Sequence, residues 1–421
     1  MDELVALYDD EGRPCGSAPR PRMRAENLHH AATAVVVRDR LGRVYVHRRT
    51  TTKDVYPGRR DFAAGGVLTA GEDPHDAAVR ELTEELGVTG VDLSPLGEGD
   101  YRDDHTSYRG FCFAAEWDGP MRWQPEEVAS GEWMTIEALV AAIEAEPDDF
   151  MPDTVGLLGG WLRNRLADRW EPEQGWDCVT VVVEDRWVDR RPRRPEVADQ
   201  LRREVAVLGR VAERLPLAVP RPAVLEEQPL RVRHPIVPGE PVEPSSLTAA
   251  DGRAVGEFLT ALHTDRGPWP AVLPTAAQEH ARLLGDLAEL RTRVLPLLPA
   301  DARAEGSRLL DDIATPTRTC LVHGDLGPAH LLTTGGRVSG IIDWGDLRLG
   351  DPGLDLAWTL HGTPPEFAEA LAASYGVTSD LRARALLWHR LGPWWEVLAG
   401  LDHLGPTYVD SGLAGVLDRL G

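Results

Sequence analysis

Residues 66–88 read GVLTAGEDPHDAAVRELTEELGV, a loop feeding a short helix. Asp73 suits the helix N-cap, Pro74 its first turn and Gly87 its stop. Ala78, Val79, Leu82 and Leu86 recur at helical spacing, which predicts the packing face. Glu81, Glu84 and Glu85 fall at i, i+3 and i+4 on the opposite side. Three carboxylates within one turn repel one another unless a cation joins them. A hard divalent cation that takes oxygen ligands, such as Mg²⁺, answers that need.

A solvated acidic face is the ordinary explanation of such a run. The spacing argues for more. Gly66, five residues, Glu72, seven residues, Arg80-Glu81, an aliphatic, one residue, Glu84-Glu85, one residue, Gly87 and an aliphatic have a chance per start below about 10⁻⁸ at average residue frequencies. This pattern resembles the Nudix hydrolase signature at every defined position. The resemblance implies hydrolysis of a nucleoside diphosphate linked to another group, or a related diphosphate. It implies that Glu81, Glu84 and Glu85 hold metal or activate water, that Arg80 orients Glu81 and that the Gly66 carbonyl adds an oxygen ligand. A bound cation lowers the pKa of water and neutralises phosphate charge.

The chain has 421 residues, enough for two domains with separate cores. Its 42 % hydrophobic content is that of a soluble globular protein. A net charge of −23 disfavours nucleic acid and anionic membrane as partners. The N-terminus MDELVALYDD is acidic, and no stretch of about 18 apolar residues occurs. Cys15, Cys112, Cys178 and Cys320 lie far apart without a CxxC pair, as isolated thiols in a reducing cytoplasm do.

Leu4 to Tyr8 reads as a strand before a turn, and Thr33–Val37 with Val44–His47 as a hairpin. Tyr56-Pro57-Gly58 leads into Gly65-Gly66, which resembles the Nudix branch nearest isopentenyl-diphosphate isomerase. Arg60 stands where that branch has Trp, and no cysteine lies near Gly66 to serve as the isomerase thiol, so isomerisation is excluded. Tyr108–Trp117 reads as a strand, and helices start at Ile136 and Thr154. Glu127 reads equally as a further metal ligand or a surface charge. The acidic Glu171–Gln174 segment reads as a linker.

Beyond Gly175-Trp176 the sequence predicts strands at Val179–Val183 and Trp187–Arg190, then a helix from Pro195 to Leu215. Helices follow at Ala250–His263, Ala276–Leu297 and Asp301–Ala314. Leu321–Leu332 reads as strand, loop, strand and contains His323-Gly324-Asp325 and His330. Strand Val338–Ile342 ends in Asp343-Trp344-Gly345-Asp346. This segment resembles the catalytic segment of the aminoglycoside and macrolide phosphotransferases, a branch of the protein-kinase-like fold. The resemblance implies that Asp325 accepts the substrate hydroxyl proton and that Asp343 and His330 hold Mg²⁺ or Mn²⁺ between the phosphates of ATP or GTP. His330 replaces the usual asparagine, as in macrolide phosphotransferases. Lys53 is the chain's single lysine. The resemblance therefore places Arg190 in the role of the phosphate-binding lysine, paired with Glu204. Asp189 and Arg191 stand where apolar neighbours are expected. Asp351, Asp355 and Trp358 fit the family stretch in a structural role.

The expected architecture is α/β (α+β): a Nudix α/β/α sandwich over residues 1–168, then a two-lobed kinase-like domain over 175–421. The expected function is a cytoplasmic bifunctional enzyme that hydrolyses a diphosphate and phosphorylates a small-molecule hydroxyl, as antibiotic-resistance kinases do. The alternative is a Nudix hydrolase carrying an inactive, ligand-sensing kinase-like domain.

Overall fold

Strand period decides the first half. In the buried run His30–Arg38, Val35 and Val37 face one way while Ala34 and Val36 face the other. Such a strand needs cover on both sides. A computed structural model describes residues 3–172 and 177–420 and supplies that cover. Glu173, Gln174, Gly175 and Trp176 of the expected linker and domain opening lie outside the described residues.

The chain divides into two units, one of residues 1–171 with 182–186 and one of 172–181 with 187–421. The first holds β1 (Leu4–Tyr8), β2 (Pro14–Pro19), α1 (Arg20–Ala25), β3 (His30–Arg38), β4 (Val44–Arg49), β5 (Arg60–Asp61), α2 (Pro74–Leu86), β6 (Ser94–Arg102), β7 (Ser107–Glu116), β8 (Val128–Met134), α3 (Ile136–Ala145), α4 (Pro152–Ala167) and β9 (Arg169–Trp170). Strand β3 runs parallel to β7, from His30 opposite Tyr108 to Arg38 opposite Glu116. It meets β4 antiparallel at Arg38 and Val44, and β4 pairs β8 antiparallel. Helix α2 covers one face through Ala78, Leu82 and Leu86. Helices α3 and α4 cover the other through Ile136, Leu139, Leu158 and Leu162. The result is an α/β/α sandwich.

Two positions of α2 differ from the reading of its sequence. Val79 is 38 % exposed and Ala77 is fully buried, so the packing face lies slightly N-terminal of the expected stripe. Glu85 is 2 % exposed. It lies beneath the helix, turned from the solvent side that Glu84 occupies, because 100° per residue carries i+4 back toward the core.

The second unit contains β10 (Cys178–Val183, whose last two residues count with the first unit), β11 (Trp187–Pro192), α5 (Pro195–Val211), β12 (Ala223–Glu227), β13 (Leu230–Pro235) and β14 (Glu240–Pro241). The sheet order is β12-β13-β11-β10, and α5 packs on it through Val197 and Leu201. Asp189 proves to be buried and paired with Arg233 at 2.5 and 2.8 Å and with Arg231 at 3.3 Å, both on β13. A buried ion cluster thus replaces the apolar contact expected there, while Arg191 is exposed.

A larger lobe follows: α6 (Ala249–Thr264), α7 (Ala276–Arg293), α8 (Arg303–Ala314), β15 (Cys320–Val322), β16 (Leu331–Thr334), β17 (Arg337–Ile341), β18 (Arg348–Gly350), α9 (Pro352–His361), α10 (Pro365–Tyr375), α11 (Ser379–Ala399) and α12 (Pro406–Leu420). Two apolar cores build it. One joins α6, α9 and α10 around Phe258, Trp344 and Phe367, and the other joins α7, α8, α11 and α12 around Leu290, Ile313 and Trp394. A small sheet lobe and a helical lobe make the kinase-like arrangement. Among the described residues no helix is long and apolar enough to cross a membrane.

Candidate active sites

The first site grows from α2. Asp73 caps it by accepting from the His75 amide at 2.8 Å, and Gly87 ends it in the left-handed region. Arg80, the residue before Glu81, donates twice to Glu72 at 2.9 and 3.0 Å and once to Glu81 at 2.7 Å. Glu72 is held in turn by the Thr69 amide and hydroxyl. Arg80 therefore orients Glu81, and Glu72 holds Arg80. A Cβ at Gly66 would lie 2.4 Å from the Glu81 carboxyl, so only glycine lets loop and carboxylate approach. The Gly66 carbonyl accepts the Thr33 amide at 2.9 Å, leaving one lone pair for any other partner.

Glu85 accepts the Gly65 amide at 2.9 Å. Burial, then the charge of Glu127, pushes its carboxyl up to about 8. Glu127 is held below its ordinary value: burial acts to raise it, but Lys53, 2.8 Å away, together with Glu85 and Arg49, outweighs burial. The two carboxylates titrate as a coupled pair. Glu81 is raised by burial, against the pull of Arg80. Glu127, equivocal in sequence, thus stands beside Glu85. Its Thr50 neighbour fixes it there, since the Thr50 amide donates to the Glu127 carbonyl at 3.0 Å.

Among the described residues no three His, Cys, Asp or Glu side chains form a ready metal cluster. The reason is visible in the pairs. Arg80 draws half-exposed Glu84 outward at 3.4 Å, and Lys53 holds Glu127. The donor chemistry nevertheless fits a hard cation: buried carboxylates, one pushed up by another, are relieved when positive charge joins them. A cavity of about 90 Å³ beside Gly65 and Gly66 is lined by His30, Thr33, Arg49, Asp61, Tyr108 and Asp153.

The second site lies on the loop after β15. The His323 and Gly324 amides donate to buried Asp355, each at 2.8 Å. Gly324 has φ +92°, and a Cβ there would meet the Asp346 carbonyl at 2.3 Å. This pinned turn presents Asp325. Its carboxyl is pushed up to about 6 by desolvation in the cleft and by Asp346 and Asp343, against the pull of His330 and Arg348. The side chain is 53 % exposed, so water softens the burial contribution and the neighbouring carboxylates carry more of the shift.

His330 Nδ1 stands 2.6 Å from the Asp325 carbonyl, which can only accept. Nδ1 therefore carries a proton, and Nε2 lies 3.7 Å from Asp343. With Nε2 unprotonated, this pair would offer a nitrogen and an oxygen donor to a cation. Asp343 has φ +64°, a strained conformation of the kind found at functional positions. Arg190 Nη1 donates to both oxygens of buried Glu204 at 2.8 and 2.7 Å. Burial raises the Glu204 carboxyl while Arg190 lowers it. The sequence reading named these residues apart from Arg348. It did not find the cavity of about 730 Å³ beside Asp325, walled by Trp358, Trp388 and Trp395 and edged by Glu279 and Asp286, both paired with Arg282, and by Asp346, paired with Arg348. Those residues come from α7, α9, α11, the loop before β18 and β18 itself, and no local pattern links them.

Comparison with known proteins assigns both halves. Residues 171–388, more than half of the chain, match the phosphotransferase enzyme family, and residues 28–154 match the NUDIX domain. An uncharacterized Nudix hydrolase of Rhodococcus erythropolis is 41 % identical over 170 residues, covering 38 % of this chain and 92 % of that protein. The Escherichia coli K12 Nudix hydrolase YfcD, also uncharacterized, is 37 % identical over 166 residues, covering 39 % and 90 %. Among solved structures, the GDP complex of wild-type aminoglycoside 2'-phosphotransferase-IIIa is similar with a TM-score of 0.50 at 23 % identity, covering 60 % of this chain and 92 % of that one. The GDP and kanamycin complex of APH(2")-IIia gives 0.52 at 22 % identity, covering 62 % and 97 %. The likeness to these structures is one of fold.

Proposed function

We propose, from the premise that this chain belongs to the Nudix hydrolases through its first half and to the phosphotransferase enzyme family through its second, that it works as a bifunctional enzyme. The halves are taken as residues 1–168 and 175–421. The first half hydrolyses a diphosphate linkage. The Arg80–Glu72–Glu81 clamp beside Gly66 is the observation that carries this reading, because it fixes one carboxylate against the backbone of the glycine loop. Glu81, Glu84 and Glu85, with Glu127 and the Gly66 carbonyl, would hold Mg²⁺ or Mn²⁺. Bound there, the cation supplies charge neutralisation and an acidic water. Glu81 is the side chain best placed to accept the proton of an attacking water, since Arg80 steadies it.

The second half transfers a phosphoryl group from ATP or GTP to a hydroxyl of a small molecule. Asp325 accepts the hydroxyl proton, Arg190 grips phosphate oxygens while Glu204 holds it in place, and Asp343 with His330 would hold the divalent cation. Phosphoryl transfer demands mainly such positioning and charge neutralisation. The tryptophan-walled cavity suits a ring-bearing acceptor of the antibiotic kind. The reading places the enzyme in a reducing cytoplasm, consistent with four free cysteines. The test incubates the full chain with Mg²⁺ or Mn²⁺ against nucleotide sugars, dinucleotides and simple diphosphates, and separately with ATP or GTP and a panel of hydroxylated antibiotics. Cleavage of the diphosphate linkage into two phosphate monoesters with no ATP or GTP added supports the first activity, and acceptor-dependent ADP or GDP formation the second. A panel with neither overturns the reading.

A further inference from the structure

Behind the acceptor cavity lies a second cavity of about 490 Å³, lined by Thr260, His263, Thr264, Arg318, Tyr375 and Leu381 among others. That volume falls in the range that takes small organic ligands. The two cavities share Thr317, Asp351 and Arg384. This dividing wall is rigid: Arg384 donates to Asp351 at 2.5 Å and to the Asp312 and Ile313 carbonyls at 2.5 and 2.8 Å, while Trp388 donates to Asp351 at 2.9 Å. The rear cavity is therefore separate from the place where an acceptor would meet Asp325.

Its lining carries one cation that the wall does not use. Arg318 donates from Nη2 to the His263 carbonyl at 3.1 Å, and no described carboxylate pairs with it. Asp380, also in the lining, sits in the first turn of α11, where the helix end balances its charge. Thr378 caps that same helix. The rest of the lining is dominated by hydroxyl and apolar groups, so an anion with an apolar body is the complementary occupant.

Tyr375 connects this cavity to the catalytic loop by hydrogen bonds alone. Its hydroxyl is 2.9 Å from His263 Nδ1, and His263 Nε2 is 3.0 Å from Asp355 Oδ2. Asp355 can only accept in its ionised form, so Nε2 carries the proton, and Nδ1 and the tyrosine hydroxyl share the other hydrogen bond. The same tyrosine lines the cavity, where an occupant meets it. Asp355 in turn receives the His323 and Gly324 amides next to Asp325. We propose that the rear cavity binds a small organic anion with an apolar body, and that its occupant acts on the catalytic loop through Tyr375, His263 and Asp355. Binding that favours one setting of Asp355 over another shifts the loop by that difference in affinity.

The test uses the full chain and the probe 8-anilinonaphthalene-1-sulfonate, with uncharged N-phenyl-1-naphthylamine as its neutral counterpart. The sulfonate should bind saturably with one site, and the neutral probe about tenfold more weakly, the scale of one charge-assisted contact. Arg318→Gln should weaken the sulfonate about tenfold, and Thr264→Trp, which fills the cavity, should abolish that site. Thermal melts check that both variants fold. Hydrogen exchange of the His323 and Gly324 amides should slow with the probe bound, and Tyr375→Phe should remove that response while retaining binding. Sulfonate binding indifferent to both Arg318→Gln and Thr264→Trp, or no preference for charge, overturns the site. An exchange response that is absent in wild type, or unchanged in Tyr375→Phe, overturns the route. Neither readout requires turnover, so the fate of the phosphotransfer reading does not decide this one.

Discussion

Asp355→Asn is the substitution whose cost can be worked most closely from the geometry. Asp355 is fully buried, with Oδ2 accepting from the His323 amide at 2.8 Å and from His263 Nε2 at 3.0 Å, and Oδ1 accepting from the Gly324 amide at 2.8 Å. Asparagine keeps one oxygen, which stays on Gly324. Its NH₂ group then faces the His323 amide, donor against donor. His263 keeps a bond to that NH₂ once its proton sits on Nδ1. The net loss is one charge-assisted bond and one unsatisfied buried amide, about 3 kcal/mol together. Asp355→Ala removes all three bonds and should cost about 5 kcal/mol. The Asp355 carboxyl is held below its ordinary value, because its hydrogen bonds and the nearby imidazoles outweigh burial, which acts to raise it. A depressed folded pKa contributes stability that is present above the unfolded value, about 3.9, and lost as pH falls through the folded one. The gap between wild type and Asp355→Asn should therefore narrow as pH falls below about 4. Native-state hydrogen exchange of β15 and α9 amides measures the stability of this unit without assuming that the whole chain melts in one step. A cost under about 0.5 kcal/mol, the scatter of surface substitutions, or a gap that does not change with pH would refute the reasoning.

Asp325→Asn should lower phosphoryl transfer roughly 10²–10⁴-fold, the worth of a positioned base, while nucleotide binding persists. With Asp325 pushed up to about 6, wild-type transfer should rise between pH 5 and pH 7 as the base loses its proton, and a flat profile would contradict the assignment. Glu84→Gln or Glu85→Gln should abolish diphosphate hydrolysis and leave phosphoryl transfer intact; near wild-type hydrolysis in both would remove their metal role. Gly66→Ala, whose methyl would press 2.4 Å from the Glu81 carboxyl, should reduce hydrolysis at least as far as either. His330→Asn should retain transfer while shifting metal preference from Mn²⁺ toward Mg²⁺, read as the ratio of rates with the two ions.

Sequence reasoning reached both sites because each is written locally. The spacing of Glu72, Arg80, Glu81, Glu84 and Glu85 depends only on a loop and three turns of helix, and the order of Asp325, His330 and Asp343 only on a strand pair. Arg190 and Glu204 were legible for the same reason, lying on a strand and the helix that follows it. What periodicity misjudged was finer. It placed Val79 inside and Glu85 outside, because a stripe of apolar residues does not tell which flank of a helix the sheet will cover.

The sequence by itself determined the two families, the α/β order of elements and which carboxylates sit on one turn, since those follow from short-range spacing and helical or strand period. Tertiary structure alone decided that Glu127 stands beside Glu85, that Asp189 is sheltered by two arginines of a neighbouring strand, and that Tyr375, His263 and Asp355 form one chain. The residues of each set come from segments far apart in sequence, and their meeting is set by how strands register and helices pack. Burial follows from that packing too. The carboxyl of Glu85 goes up, and that of Asp355 goes down, only because of what the fold brings against each.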